Sequence, residues 1–468
     1  MRKLYWYLSS YTRKHGLVLA ISIVVAVIAF SFSITYIVRT FEQKKRTYIG
    51  MVGDYTLTAL PREVQNLVSS GLTSVTEDGS VVPEVAERWQ VEDDGKTYRF
   101  LIKKNLYWQD GKNVTPADIT YQLKDVEIIT TPNDVIFKLP ESYVPFPTIV
   151  SEPLFRPSTQ RQLFFFNQPT VIGIGKYSVE SYKQKGPRLT EIVLDSTEER
   201  RIYRFYLSEE DAVIAFKRGE VDRLLDMTAA YGLDQWPSVD AGKTLQTARY
   251  LAVFFNMTDP LLSNKNVRQA LAYAAQKPTD QTRAIGPINP QSWAYLSGGK
   301  TYEFDMDRAV ERLLSEPPGE PIILELTTTP TFASEAEQLK QQFEELGKQA
   351  QTSCNSNTAI KDKTTCNNSV ITINLKITSF PQTDNFQLLL IGQESPTDPD
   401  QYPLWHSDQA ANFSKYKNTR IDSLLERGRQ TLDRTERLAI YQEFQQFFLE
   451  DAPAVFLYHL SNYDIKRK

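Results

Sequence analysis

The sequence predicts an α/β protein of two or more lobes carried behind one apolar N-terminal helix. Helix signals with clear ends alternate along the chain with short strand-like runs. The 468 residues exceed what one hydrophobic core serves, so more than one lobe is expected. Residues 17–38 contain no charge at all.

That apolar run, LVLAISIVVAVIAFSFSITYIV, is long enough to cross a bilayer, which takes roughly 20 residues as a helix. Its β-branched residues are no obstacle, because lipid forces every backbone group to bond within its own segment. A cleaved signal peptide is the rival reading. It needs a shorter apolar core and a small-x-small site, which Phe30, Phe32, Ile34 and Tyr36 spoil. No cysteine lies nearby to carry a lipid. Arg2, Lys3, Arg13 and Lys14 precede the run and Arg39, Lys44, Lys45 and Arg46 follow it, so charge does not orient it.

Beyond the run, Tyr98, Phe100 and Ile102 alternate with polar or longer residues after the turn Asp93-Asp94-Gly95-Lys96, which predicts a hairpin over 89–103. Thr115-Pro116-Ala117-Asp118 predicts a capped helix start. Ser208-Glu209-Glu210-Asp211 is a second capping box, for a helix stopped by Gly219. Apolar faces predict further helices over 266–276, 335–346 (stopped by Gly347), 420–432 and 434–449. Strand-like runs fall at 191–194, 250–255, 322–326, 370–377, 386–391 and 454–458.

Composition excludes several functions. With 41% hydrophobic and 24% charged residues the body is an ordinary folded one, and a net charge of −4 gives no footprint for nucleic acid. No phosphate-cradling glycine motif and no G-x-S-x-G is present. Of the three histidines, His15 abuts the apolar run, and His406 and His459 sit beside aromatics as packed residues do. Thr397-Asp398-Pro399-Asp400 reads as a rigid acidic turn rather than a catalytic pair. No catalytic residue, metal site or cofactor is therefore expected. Cys354 and Cys366 bracket a polar stretch, where a disulfide would suit an oxidising compartment; two free thiols remain the alternative.

Four blocks then stand out in order. The first is Val82-Pro83-Glu84-Val85-Ala86-Glu87-Arg88-Trp89, continuing through Asp93-Asp94-Gly95 and Tyr98-Arg99-Phe100 to Asp110-Gly111 and Thr115-Pro116-Ala117-Asp118-Ile119. The second is Gly173-Ile174-Gly175-Lys176-Tyr177 with Gly219-Glu220-Val221-Asp222. The third joins Phe255-Asn256 to Asn266-Val267-Arg268-Gln269-Ala270-Leu271. The fourth is Asp398-Pro399-Asp400 with Tyr416-Lys417-Asn418 and Ala452-Pro453. Together, over about residues 48–460, they resemble the extracellular solute-binding proteins of the oligopeptide, dipeptide and nickel class, family 5 of the ABC transporter substrate-binding proteins.

The resemblance implies a two-lobed periplasmic-binding-protein-like clamp with a small extra subdomain. On it the chain divides into a cytoplasmic tail, anchor and linker (1–46), lobe I (47–82 and 159–255), the small subdomain (83–158), lobe II (256–460) and a C-terminal return toward lobe I (461–468). It implies a monomeric, single-pass protein of the cytoplasmic membrane. The body, outside the cytoplasm, would capture a small solute, most simply a peptide, for an ABC permease. In peptide-binding relatives an acidic residue just before the D-P dipeptide pairs with the ligand's amine. That position falls on Ser395 here, so the role passes to Glu394, with Gln393 where a tryptophan is usual. Asn256, Trp293, Tyr295, Trp405 and Tyr458 complete the expected cleft residues. Two other readings stay open: a membrane-tethered peptidase, which would need a nucleophile or metal site, and a sensory or structural ectodomain that has lost its ligand.

Overall fold

The computed structural model describes residues 14–18, 21–30, 44–162, 166–357 and 364–468. One ten-stranded mixed sheet runs through the body. Its order is Ser178–Lys185, Arg188–Asp195, Glu199–Tyr206, Lys45–Val52, Arg223–Met227, Ala454–Arg467, Val239–Phe255, Leu388–Glu394, Ile322–Thr328 and Ile371–Ile377.

Two long central strands make this one sheet serve two lobes. Val239–Phe255 and Ala454–Arg467 pair antiparallel twice, 239–245 with 461–467 and 250–254 with 454–459. Between these ladders residues 246–249 face residue 460 alone, and the pairing lapses. Below the lapse Arg223–Met227 and Lys45–Val52 extend the sheet into lobe I; above it Leu388–Glu394 and Ile322–Thr328 extend it into lobe II.

Each lobe buries both faces of its share of sheet. In lobe II, Leu251, Val253 and Phe255 point into a core covered by the helices Lys265–Ala274, Met306–Ser315 and Ala333–Ser356. The alternate residues Tyr250, Ala252 and Phe254 point into a second core under the helices Thr419–Gln430 and Arg434–Asp451. A strand covered on both sides must be apolar throughout, which is why 250–255 reads as an unbroken hydrophobic run. In lobe I, helix Arg62–Val68 covers one face over Ile192, Tyr203 and Phe205, and helix Glu209–Lys217 covers the other over Leu224 and Ile465.

A separate antiparallel sheet of four strands, Ala86–Glu92, Thr97–Ile102, Asp134–Lys138 and Glu127–Thr130, holds its own aromatic core. Phe137 packs edge-on to Phe100 at 5.7 Å, and Phe146 lies 5.1 Å from Phe137. The predicted hairpin forms its first two strands.

Two predicted ends are corrected. Thr115 does form the reciprocal capping box, its backbone N–H and hydroxyl each donating to Asp118 at 2.8 Å, but only a single 3-10 turn, Pro116–Asp118, follows. Gly347 does not stop its helix, which continues to Ser356. The glycine serves close approach: a Cβ there would lie 2.3 Å from the backbone nitrogen of Ile371 on the strand beneath. Cys354, near that helix's end, is bonded to Cys366. Residues 14–18 and 21–30 are helical. Among the described residues no helix is long and apolar enough to cross a membrane, and the rest of the predicted 17–38 span lies outside them.

Candidate functional site

Parallel strands in both lobes run toward the seam. Lys45–Val52, Glu199–Tyr206 and Arg223–Met227 end there from below, and Leu388–Glu394 and Ile322–Thr328 end there from above. In open α/β sheets ligands bind outside the carboxyl ends of strands, and here two such edges face each other.

Three charges meet across the gap. Asp226 comes from lobe I, held at φ 58° by its strand end. Glu394 closes a lobe II strand. Arg249, on the crossing strand at the lapse, reaches both: its Nε lies 3.4 Å from Glu394 Oε2 and its Nη1 3.4 Å from each Asp226 oxygen. Asn462, from the other crossing strand, also donates to Asp226. Burial raises the pKa of the neighbouring Tyr55 hydroxyl, and Asp226 raises it further while Arg249 opposes. Two carboxylates share one guanidinium, so the trio carries a surplus negative charge, open to solvent at Glu394, whose side chain is 65% exposed.

The loop 395–400 leaves this trio and is fixed at Ser395, Asp398 and Asp400. Ser395 donates its N–H to Ala248 at 2.7 Å and its hydroxyl to Pro287 at 2.6 Å, both backbone oxygens. Asp398 takes a two-pronged bond from buried Arg437, at 3.0 and 2.6 Å, while Arg437 Nε donates to the Gly428 carbonyl at 2.7 Å. Asp400 accepts from Arg429 at 3.0 Å, and burial raises its pKa more than Arg429 lowers it. The Arg429 guanidinium sits between Tyr143, 4.7 Å away in the small four-stranded module, and Tyr402 at 4.1 Å.

The module and the adjoining turn 78–80 of lobe I meet lobe II at several points. Trp293 N–H donates to the Asp78 carbonyl at 3.1 Å, Val144 N–H to the Arg429 carbonyl at 2.7 Å, and Arg434 to the Ser80 hydroxyl at 2.8 Å. Gly79, at φ 79°, lies so near Thr397 that a Cβ would meet its carbonyl oxygen at 2.7 Å. Two cavities remain beside this contact. One of about 380 Å³ is polar, lined by Asn66, Ser69, Ser70, Thr73, Ser74 and Thr397. The other, about 220 Å³, is walled by Trp89, Tyr98 and Trp293 with Arg434 and Arg437.

The structure therefore divides the predicted site residues. Gln393, Glu394 and Ser395 lie at the seam, with the Ser395 hydroxyl committed to Pro287. Trp293 walls the smaller cavity under the Arg434 guanidinium, 5.0 Å from its ring. Tyr295, two residues on, closes the turn begun at Ser292. Trp405 is corrected: it is 2% exposed in the lobe II core, edge-on to Phe448 at 4.6 Å, with no side facing a cleft. Asn256 is corrected too, since its amide donates to the Phe386 carbonyl and accepts from Thr258, holding a turn. Tyr458 lines a different cavity, of about 400 Å³, and donates to Glu335 at 2.8 Å. His406, stacked on Tyr402, and His459 are packed residues.

Sequence reasoning missed Asp226, Arg249 and Asn462. Nothing local marks them, because they meet only when strands far apart in the chain pair. Among the described residues no group of His, Cys, Asp and Glu is placed to hold a metal.

Residues 80–134 and 128–395 match the model of the bacterial extracellular solute-binding proteins, family 5. The chain belongs to that family. A family 5 protein binds a solute and is not an enzyme. Among its relatives, the oligopeptide-binding protein AppA of Bacillus subtilis is 22% identical, the alignment covering 89% of this chain and 86% of that one. The dipeptide-binding protein of Escherichia coli is 20% identical over 83% and 82%. Among solved structures, NikZ of Campylobacter jejuni in complex with Ni(L-His) superposes with a TM-score of 0.69 at 22% identity, over 91% of this chain and 94% of that one. This family 5 protein shares their mixed α/β, two-lobed fold.

Proposed function

We propose that this chain is a membrane-tethered receptor that closes two lobes around a short peptide and presents it to an ABC importer. The observation that carries the reading is the surplus negative charge of Asp226, Arg249 and Glu394 where the strand ends of both lobes converge. A free α-amino group offers the complementary charge. Arg249 holds both carboxylates at 3.4 Å, long contacts that an ammonium can replace in part without stranding the guanidinium. The polar cavity under Thr397 is within the range of small-molecule sites, about 300–1,000 Å³, and its hydroxyls and amides suit peptide groups. Relatives named for oligopeptides and dipeptides support the ligand class. The uncharged run 17–38 supports the tether, which keeps the receptor near its permease and raises its effective concentration there.

Native mass spectrometry of the body from residue 44 onward, purified from its own host, tests the class. Co-purified peptides are expected; a nickel chelate or a bare protein would replace the peptide reading. The amine contact is tested by calorimetry on Glu394→Gln. A free-amine peptide is expected to bind roughly tenfold more weakly, a loss of about 1.4 kcal/mol. The N-acetylated peptide is expected to lose nothing further. Equal affinities for wild type and variant with the free amine would remove Glu394 from the site.

A further inference from the structure

We propose that the end of lobe I farthest from the cleft is a membrane-contacting surface that rests on anionic lipid headgroups. The inference rests on the tether reading and goes beyond it. The apolar run ends at Val38 and the first sheet strand begins at Lys45. Seven residues span at most about 25 Å, so the start of that strand is confined close to the bilayer. Lys45–Val52 then runs toward the seam, so the end of lobe I where it begins is the part of the body held nearest the bilayer.

Several cations converge on that end. Register puts Lys45 and Arg46 beside Glu199 and Arg200. Arg223, on the neighbouring strand, pairs with Lys466 on the next, bringing Lys468 to the same edge. Helix Glu209–Lys217 descends from the seam and delivers Lys217 there as well. The carboxylates present are taken: Asp195 by Lys44 at 2.6 Å, Glu198 by Lys176 at 2.7 Å, Glu199 by Arg201 at 2.7 Å and Asp240 by Lys466 at 3.1 Å. Glu220 faces Arg218 at 3.9 Å, and Asp222 accepts the Tyr48 N–H. Lys45, Arg46, Lys217 and Lys468 are all exposed and have no ion-pair partner among the described residues. The surplus is therefore positive, opposite in sign to the seam and to the chain as a whole. A surface held within a few ångströms of headgroups by a short tether is where such charges act, since salt screens them beyond about 8 Å.

The test uses the full chain in vesicles of phosphatidylcholine alone or mixed with phosphatidylglycerol. A fluorophore is placed at Lys468→Cys, a second preparation carries it at Ile377→Cys on lobe II, and the headgroups carry a quencher. Strong quenching at 468 in the anionic vesicles is expected, lost in high salt, in neutral vesicles and in the variant Lys45→Glu/Arg46→Glu/Lys217→Glu. The label at 377 is expected to stay unquenched throughout. A Gln version of the triple variant should fall between, and retained peptide affinity shows that both versions fold. Quenching at 468 that ignores lipid charge and the variants overturns the surface while leaving the tether intact. A chain that washes off both vesicles in salt overturns the tether, and this surface with it.

Discussion

Individual side chains in this protein act chiefly through charges that burial has made expensive. Asp398 and Arg437 are both nearly inaccessible, and each is tolerable only because the other is there. Lys277 is a starker case: the residue is 8% exposed and its amine donates to the carbonyls of Ala272 and Tyr302, with no ion pair to a carboxylate among the described residues. Burial, helped by the Arg283 cation, lowers its pKa to about 6. In the unfolded chain a lysine titrates near 10.4. Between those values the unfolded state holds the extra proton, so this group's stability contribution is complete above the unfolded pKa and is lost as pH falls toward about 6. Urea titrations at pH 7, 8 and 9 should show stability rising by up to ~1.4 kcal/mol per pH unit from this residue. Lys277→Met should flatten that slope; an unchanged slope would mean the amine stays charged when folded.

Among the elements, the helix Ala333–Ser356 shows what a sequence discloses and what it hides. Leu339, Phe343 and Leu346 announced its buried face, and all three are in the core. Gly347 looked like a terminator because local chemistry cannot distinguish a stop from a close approach. The deciding neighbour, Ile371, is a strand residue beyond the disulfide-closed loop. Gly347→Ala should therefore destabilise the protein by about 1–3 kcal/mol in urea melts, because overpacking against Ile371 outweighs alanine's better helix propensity. A stabilised variant would contradict the packing account. The same limit explains the rest. The helix behind the Ser208 capping box and the strands with unbroken apolar runs were legible, since their causes lie within a few residues. The family blocks pointed to the loop 395–400 for the same reason, and the proposed role of Glu394 rests on that reading. Arg249 and Asp226 were invisible, being brought together by pairing between segments that share no local signal. Trp405 and Asn256 misled because an aromatic or amide near a cleft block is as readily a core or turn residue.

At the scale of the whole molecule, the two lobes are halves of one sheet joined where its ladder lapses at 246–249, so the closure proposed above would be a bend about that seam. The turn bearing Asp78 and Ser80, in the first segment of lobe I, meets lobe II. Arg434→Ala removes the exposed contacts to Ser80 and Asp78 across the lobes, together with the guanidinium over Trp293. If those contacts favour the closure proposed above, the melting temperature should stay nearly unchanged while binding of the proposed peptide weakens by up to about fivefold, seen as faster release. A slower release would mean that the contacts oppose closure. The crossing strand Ala454–Arg467 has one more consequence, for biogenesis. Lobe I leaves Arg223–Met227 with an open edge until residues 461–467 arrive, whereas nearly all of lobe II lies between those two segments. As the polypeptide emerges from its N-terminus, lobe I waits with a bare strand through the synthesis of nearly all of lobe II, which itself lacks 454–459 of the crossing strand until the end. During that interval chaperones have their strongest hold and mispairing its best opportunity.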